Sequence, residues 1–139
     1  MPRAAPLSLN DYQRLAAFRL ALRRFTALTE ANARKVGLTP QHHQALLSIK
    51  GGYPDRQQIT IGDLAEHLLL KNHSAVELVS RLVKAGLVVR APDAVDRRRV
   101  CLFVTPKGEA LLERVSAESL VELRASRDLL EAVLGVAQP

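Results

Sequence analysis

The sequence predicts a mainly α-helical protein carrying one small β-hairpin, and three observations predict it. Apolar residues recur three or four apart through the first third of the chain. Threonine–proline pairs twice announce a helix start. Two β-prone runs lie close together between residues 87 and 104.

The chain of 139 residues is 47% hydrophobic and 24% charged, which suits one folded domain over residues 1–139 and is too apolar for a disordered segment. Its formal net charge of +6 sets up a field that attracts polyanions such as nucleic acid or acidic lipid. Apolar stretches such as Leu68–Leu70 and Val100–Val104 are far too short to span a bilayer. Met1-Pro2-Arg3-Ala4-Ala5-Pro6 leads into no apolar signal core, so it reads as a short tail on a cytoplasmic protein. The single cysteine, Cys101, forms no intramolecular disulfide and fits a reducing compartment.

Each element follows from local chemistry. Between about Leu9 and Lys35, the residues Leu15, Phe18, Leu22, Phe25 and Leu28 share a helical face, Arg14, Arg19, Arg23, Arg24 and Arg34 fill others, and Gly37 ends the run. Thr39 caps and Pro40 opens a second helix to about Lys50. Gly51–Asp55 is a loop by composition. Thr60 with Asp63 makes a capping box, and Ile59 can staple to Leu64, at the entry of a short third helix, about Ile61–Leu68. A tight connection at Leu69–Lys71 leads to a fourth helix, about Asn72–Ala85, closed by Gly86. Leu87–Arg90 and Arg99–Val104 are expected strands joined by the polar segment Ala91–Arg98. Thr105-Pro106 opens a long helix to about Leu123, and a further helical piece covers about Asp128–Val136.

Two short helices, a tight turn and a following hairpin form a winged helix-turn-helix over about residues 59–105, a shape that lays one helix in the major groove and reaches a minor groove with the hairpin. The fourth helix has the two faces this needs. Ala75, Leu78, Val79 and Leu82 point to the core, His73, Glu77, Ser80 and Lys84 point away, and Ser74, Val76 and Arg81 flank the polar side. His73 and Ser74 can hydrogen-bond base edges, Glu77 can accept from a cytosine amino group, and Val76 can meet a thymine methyl. Lys71 and Asn72 sit at the turn, where charge and helix amides favour a phosphate; Lys84 is likewise assigned to phosphate. At the hairpin turn stand Asp96-Arg97-Arg98-Arg99. Arginine at such a tip can enter a narrow minor groove, with the aspartate holding its guanidinium in bidentate geometry beforehand. The competing reading is a solvated helix face and a solvated charge cluster; their occurrence together favours DNA.

These residues resemble a known family. Ile61–Leu68, Ser74–Leu82, Lys84–Val88, Asp96–Arg98 and Leu102–Gly108 together look like the MarR family of bacterial transcription regulators, over about residues 7–125. The resemblance implies a homodimer in which N- and C-terminal helices, about 8–36 and 106–137, interlock and carry two winged-helix lobes, about 39–105, onto one pseudo-palindromic operator. It implies a recognition helix over Lys71–Lys84, Asp96 and Arg98 as the wing's aspartate and minor-groove arginine, and Arg97 as a phosphate contact. It also implies a repressor that releases DNA when a small aromatic ligand binds between the dimerisation helices and the DNA-binding lobe. Leu69 stands where the family's helix-turn-helix corner commonly has glycine. About 15 residues follow Leu123, so the last dimerisation helix is expected to be abbreviated, with the interface leaning on the first.

Other candidates are weaker. Adjacent His42 and His43 point about 100° apart on a helix and cannot easily share a metal ion, while His67 and His73 are separated by the turn, so no metal and no cofactor are expected. His42 or His43 could line a ligand pocket, though a surface position is the simpler account. Cys101 lies mid-strand with no second cysteine, and an inert buried thiol is favoured over a redox sensor. With no nucleophile elbow, phosphate-binding glycine loop or paired carboxylates, an enzyme is not expected. A winged helix serving only as a protein-interaction module is the alternative function.

Overall fold

The computed structural model describes residues 4–56 and 58–135. Six helices and one hairpin follow in order: α1 (Leu9–Lys35), α2 (Pro40–Gly51), α3 (Ile61–His67), α4 (Asn72–Lys84), β1 (Val88–Pro92), β2 (Val100–Val104), α5 (Pro106–Ala125) and α6 (Arg127–Leu134). This is the expected mainly helical, winged architecture. Met1–Arg3 of the tail, and positions 136 and 137 of the expected C-terminal helices, lie outside the described residues.

Side-chain caps set most helix starts. Ser8, Thr39, Thr60 and Thr105 each accept a hydrogen bond from a backbone N–H in the first turn, and at Ser8 and Thr60 the returning carboxylates of Asp11 and Asp63 complete capping boxes. The Ser8–Asp11 box was not anticipated. Gly86, at φ +75°, closes α4 in the left-handed region and lets Leu87 donate back to the Leu82 carbonyl at 3.0 Å.

Both strands start one residue later than expected, and β1 runs on to Pro92 while β2 ends at Val104 as expected. Leu87 is occupied by its bonds to α4 and by accepting from Thr105, while Pro92, which has no N–H to donate, pairs with Val100 at the open end of the ladder. The register is antiparallel, with Val88 opposite Val104 and Arg90 opposite Leu102. Ile59 adds a bridge on the other side: its carbonyl accepts from the Leu102 N–H at 2.7 Å, so the segment before α3 forms a third line of the winged sheet.

The core lies in the lobe built by α2, α3, α4 and the hairpin. Leu46, Ile59, Leu64, Leu78, Val79, Leu82, Val88 and Leu102 are fully buried, and Leu112 and Val115 of α5 join from one end. Ile59 and Leu64, the expected staple, are both in this core. Of the long α1, only Asn32 and Ala33 are buried. The apolar stripe that defined it therefore remains largely uncovered, with Leu15 and Leu22 exposed and Phe18, Phe25 and Leu28 half-buried.

Helix α5 is joined tightly to the lobe. The Thr105 hydroxyl donates to the Gly86 carbonyl at 2.6 Å, and Lys107 Nζ donates to the Ala85 carbonyl at 3.1 Å, so two carbonyls at the end of α4 are capped from the start of α5. A Cβ at Gly108 would sit 2.5 Å from the Leu87 carbonyl, a closeness that only glycine permits. Helix α6 turns off α5 at Ser126 and returns along α1, where Arg14 Nε donates to the Val133 carbonyl at 3.1 Å. No helix among the described residues is long and apolar enough to cross a membrane.

Candidate nucleic-acid interface

Helix α4 is positioned by its apolar side. Ala75, Leu78, Val79 and Leu82 are buried, as their spacing predicts, and this leaves His73, Val76, Glu77, Ser80, Arg81 and Lys84 exposed and Ser74 half-buried. Lys71 is the N-cap residue and makes no side-chain cap bond, so Lys71 and Asn72 stand exposed beside first-turn amides that no side chain caps.

The turn before α4 keeps its shape without glycine. Leu69 takes φ +56°, in the left-handed region, and is 92% exposed, while the Leu70 N–H donates to the Ala65 carbonyl at 2.8 Å. A leucine there carries a steric cost of about 1–2 kcal/mol, imposed by the packing of α3 and α4 on either side.

The helix entering this turn is held by a polar cluster. Arg56 donates to the Asp63 carboxylate at 2.9 Å and lies over the Tyr53 ring at 4.5 Å, and the Tyr53 hydroxyl reaches the Asp63 carbonyl at 3.3 Å. Burial alone would raise the Asp63 pKa. The Thr60 backbone and hydroxyl bonds and the Arg56 charge outweigh it and hold the carboxyl below the usual range. His67, expected to stand apart, has its Nδ1 2.7 Å from the Ser48 hydroxyl of α2.

At the wing, Asp96 and Arg98 do meet, but not in the bidentate geometry expected from sequence. One carboxylate oxygen, Asp96 Oδ1, accepts both the Arg98 backbone N–H at 3.1 Å and Arg98 Nε at 3.3 Å. This side-on approach leaves the terminal guanidinium nitrogens free on a side chain that is 93% exposed. Arg97 and Arg99 are also exposed.

Ser80 departs from expectation in another way. Its hydroxyl is already engaged: it donates to the Val76 carbonyl at 3.0 Å and accepts from Arg90 at 3.0 Å. Arg90, which sequence reading passed over as an ordinary strand residue, thus ties the wing to the exposed side of α4. Its place opposite Leu102 in the hairpin register sets this contact, and no local sequence signal announces it.

Cys101 is buried, and burial together with the nearby Asp93 carboxylate raises its pKa, the opposite of an activated thiol. His43 corrects a surface expectation: it is 3% exposed, its Nε2 has no hydrogen-bond partner, and burial lowers its pKa. It lines a cavity of about 150 Å³ between α1 and α2, with Phe25, Thr29, Glu30 and Leu47. His42, beside it in sequence, is half-buried and faces the charge of Arg81 on α4. Among the described residues, no three His, Cys, Asp or Glu side chains group as metal ligands.

Comparison with known proteins agrees with this geometry. A model of the MarR family matches residues 36–99. The transcriptional regulator FarR of Neisseria gonorrhoeae is 42% identical over 73 residues, which cover 52% of this chain and 47% of FarR. The crystal structure of the transcriptional regulator Tm0710 from Thermotoga maritima is similar at 30% identity and TM-score 0.58, over 81% of this chain and 80% of its own. MarR of E. coli, solved in complex with operator DNA, shares the fold at 22% identity and TM-score 0.57, over 84% of this chain and 76% of its own. The chain spans about half the length of two curated relatives it matches, 47% of FarR and 54% of a putative regulator of the hcr operon of Thauera aromatica.

Proposed function

Because this chain belongs to the MarR family, we propose that it is a sequence-specific DNA-binding transcription regulator rather than an enzyme. It acts in the cytoplasm as a homodimer on a pseudo-palindromic operator. One observation carries the reading: the exposed polar side of α4 and the Arg98-tipped wing belong to one lobe and are tied together by the Arg90–Ser80 bond. His73, Ser74, Val76 and Glu77 read major-groove base edges, Lys71, Asn72, Arg81, Lys84 and Arg97 meet phosphates or flank the groove, and Arg98, steadied by Asp96, probes the minor groove. Ser80 serves the interface indirectly, through Arg90. A relative of the same fold, MarR of E. coli, is known in complex with operator DNA.

The division of labour follows. Residues 39–105 form the DNA-binding lobe, and α1 with residues 106–137 forms the dimerisation part. The uncovered apolar stripe of α1 supports pairing with a second copy, since a face bearing Leu15 and Leu22 in water is unfavourable. Repression is relieved by a small aromatic ligand, for which the cavity holding Phe25 and the unpartnered His43 Nε2 is the candidate seat.

Selection of bound duplexes from a random library tests the whole reading. A palindrome with half-sites about one helical turn apart is expected. Absence of any duplex binding even at low salt would instead favour a protein-interaction module.

A further inference from the structure

The wing carries a second projecting side chain besides Arg98. Its loop is closed at the base, where the Asp93 N–H donates to the Arg99 carbonyl at 2.9 Å and the Arg99 N–H donates to the Asp96 carbonyl at 3.0 Å. Inside it, the Val95 N–H donates to the Asp93 carboxylate at 3.3 Å, and Asp93 itself is buried. From this braced loop Val95 emerges 93% exposed, two positions from the first of three consecutive arginines. An isopropyl group beside so many charges gains nothing from water, and its β-branched stem leaves it few rotamers.

Resting on the reading that the wing enters a minor groove, we propose that Val95 and Arg98 together select A·T pairs beneath the wing by rejecting the guanine amino group. The floor of the minor groove presents only acceptors at A·T and T·A, whereas a G·C pair adds the protruding N2 amino donor. Arg98 offers donors alone, and Val95 offers neither donor nor acceptor. One carboxylate oxygen of Asp96, Oδ1, is turned back onto the N–H groups of Arg98. A guanine beneath Val95 and Arg98 therefore loses the water on its amino group, meets donors in place of an acceptor, and meets the bulk of the isopropyl group. Adenine N3 and thymine O2, in contrast, accept from the guanidinium.

The experiment uses the full chain and a duplex selected by it from a random library. Wing-facing pairs are those protected in the minor groove by the wild type but not by Arg98→Ala. Each is replaced by G·C, by inosine·C, which lacks the amino group, and by diaminopurine·T, which restores it on an A·T pair. The expected result is about a tenfold loss for G·C and diaminopurine·T, with inosine·C within about twofold of A·T, the size expected for one unpaired buried donor. Val95→Asn, which supplies an acceptor, and Val95→Ala, which removes bulk, should each shrink the G·C loss to about threefold or less with A·T affinity nearly kept. Inosine·C binding as poorly as G·C, or an unchanged G·C loss in both variants, overturns the proposal while the DNA-binding reading stands. Failure to bind any duplex at low salt overturns both.

Discussion

The Arg90 guanidinium on β1 donates to the Ser80 hydroxyl on α4 at 3.0 Å, and that hydroxyl donates in turn to the Val76 carbonyl one helical turn earlier. The hairpin and α4 are therefore joined side chain to side chain at the exposed surface, in addition to their shared core. Arg90→Ala should weaken binding to a selected duplex by about 1 kcal/mol, near fivefold, with melting temperature little changed. Ser80→Ala should cost nearly as much, and the double variant little more than either alone. Fully additive losses, measured by fluorescence anisotropy, would show that the two residues act separately.

Arg98 projects freely, so Arg98→Ala should reduce affinity for the selected duplex by about tenfold while leaving fold and oligomeric state intact. Lys71→Ala and Lys84→Ala should differ in kind. Each should weaken binding to all sequences alike and flatten the slope of log affinity against log salt by about one unit, read from titrations at several salt concentrations.

Leu69 occupies a backbone conformation in which its Cβ is crowded. Replacing it with glycine removes that strain at some entropic cost in the unfolded chain, so Leu69→Gly should stabilise the protein by roughly 1 kcal/mol and raise the thermal midpoint by a few degrees. A lower midpoint would mean the exposed leucine side chain makes stabilising contacts that outweigh the strain.

The apolar stripe on α1 supplies a test of assembly. Leu22→Glu places a charge amid Phe18, Phe25 and Leu15 and should turn a sedimenting dimer into a monomer, with operator affinity falling at least a hundredfold as the two half-sites uncouple. A variant that stays dimeric would locate the interface elsewhere.

Burial depresses the pKa of His43, and burial followed by the Arg81 charge depresses that of His42. The folded protein binds these protons less readily than the unfolded chain. Their contribution to stability is thus fully present above about pH 6.5 and is lost as pH falls from there toward the depressed folded values. Thermal melts from pH 7.5 to 5 should show a falling midpoint, and His43→Leu should flatten that fall. An identical profile in the variant would remove His43 as its source.

What could be read from residues alone was governed by local chemistry. Thr39-Pro40, the Thr60–Asp63 box and Thr105-Pro106 declare helix starts through bonds spanning three residues, and the two faces of α4 follow from its period, so these elements stand where the sequence put them. Apart from the local Ser8–Asp11 box and the side-on Asp96–Arg98 contact, the departures involve partners distant in sequence. Nothing near His43 signals that α1 will cover it, since Phe25 and Thr29 arrive from another helix. The bridge from Ile59 to Leu102 joins segments some forty positions apart. The engagement of Ser80 depends on Arg90 lying opposite Leu102 in the hairpin register. Leu69 is the reverse case: its residue type argues against the left-handed turn, and the packing of two flanking helices overrides that preference.

The bonds from Thr105 and Lys107 to the end of α4, with Gly108 pressed against Leu87, join α4 closely to α5. A tilt of α5 therefore draws on the end of α4 through these three contacts. In the homodimer proposed above, the angle between α5 and α4 would thus set how far apart the two copies of α4 stand.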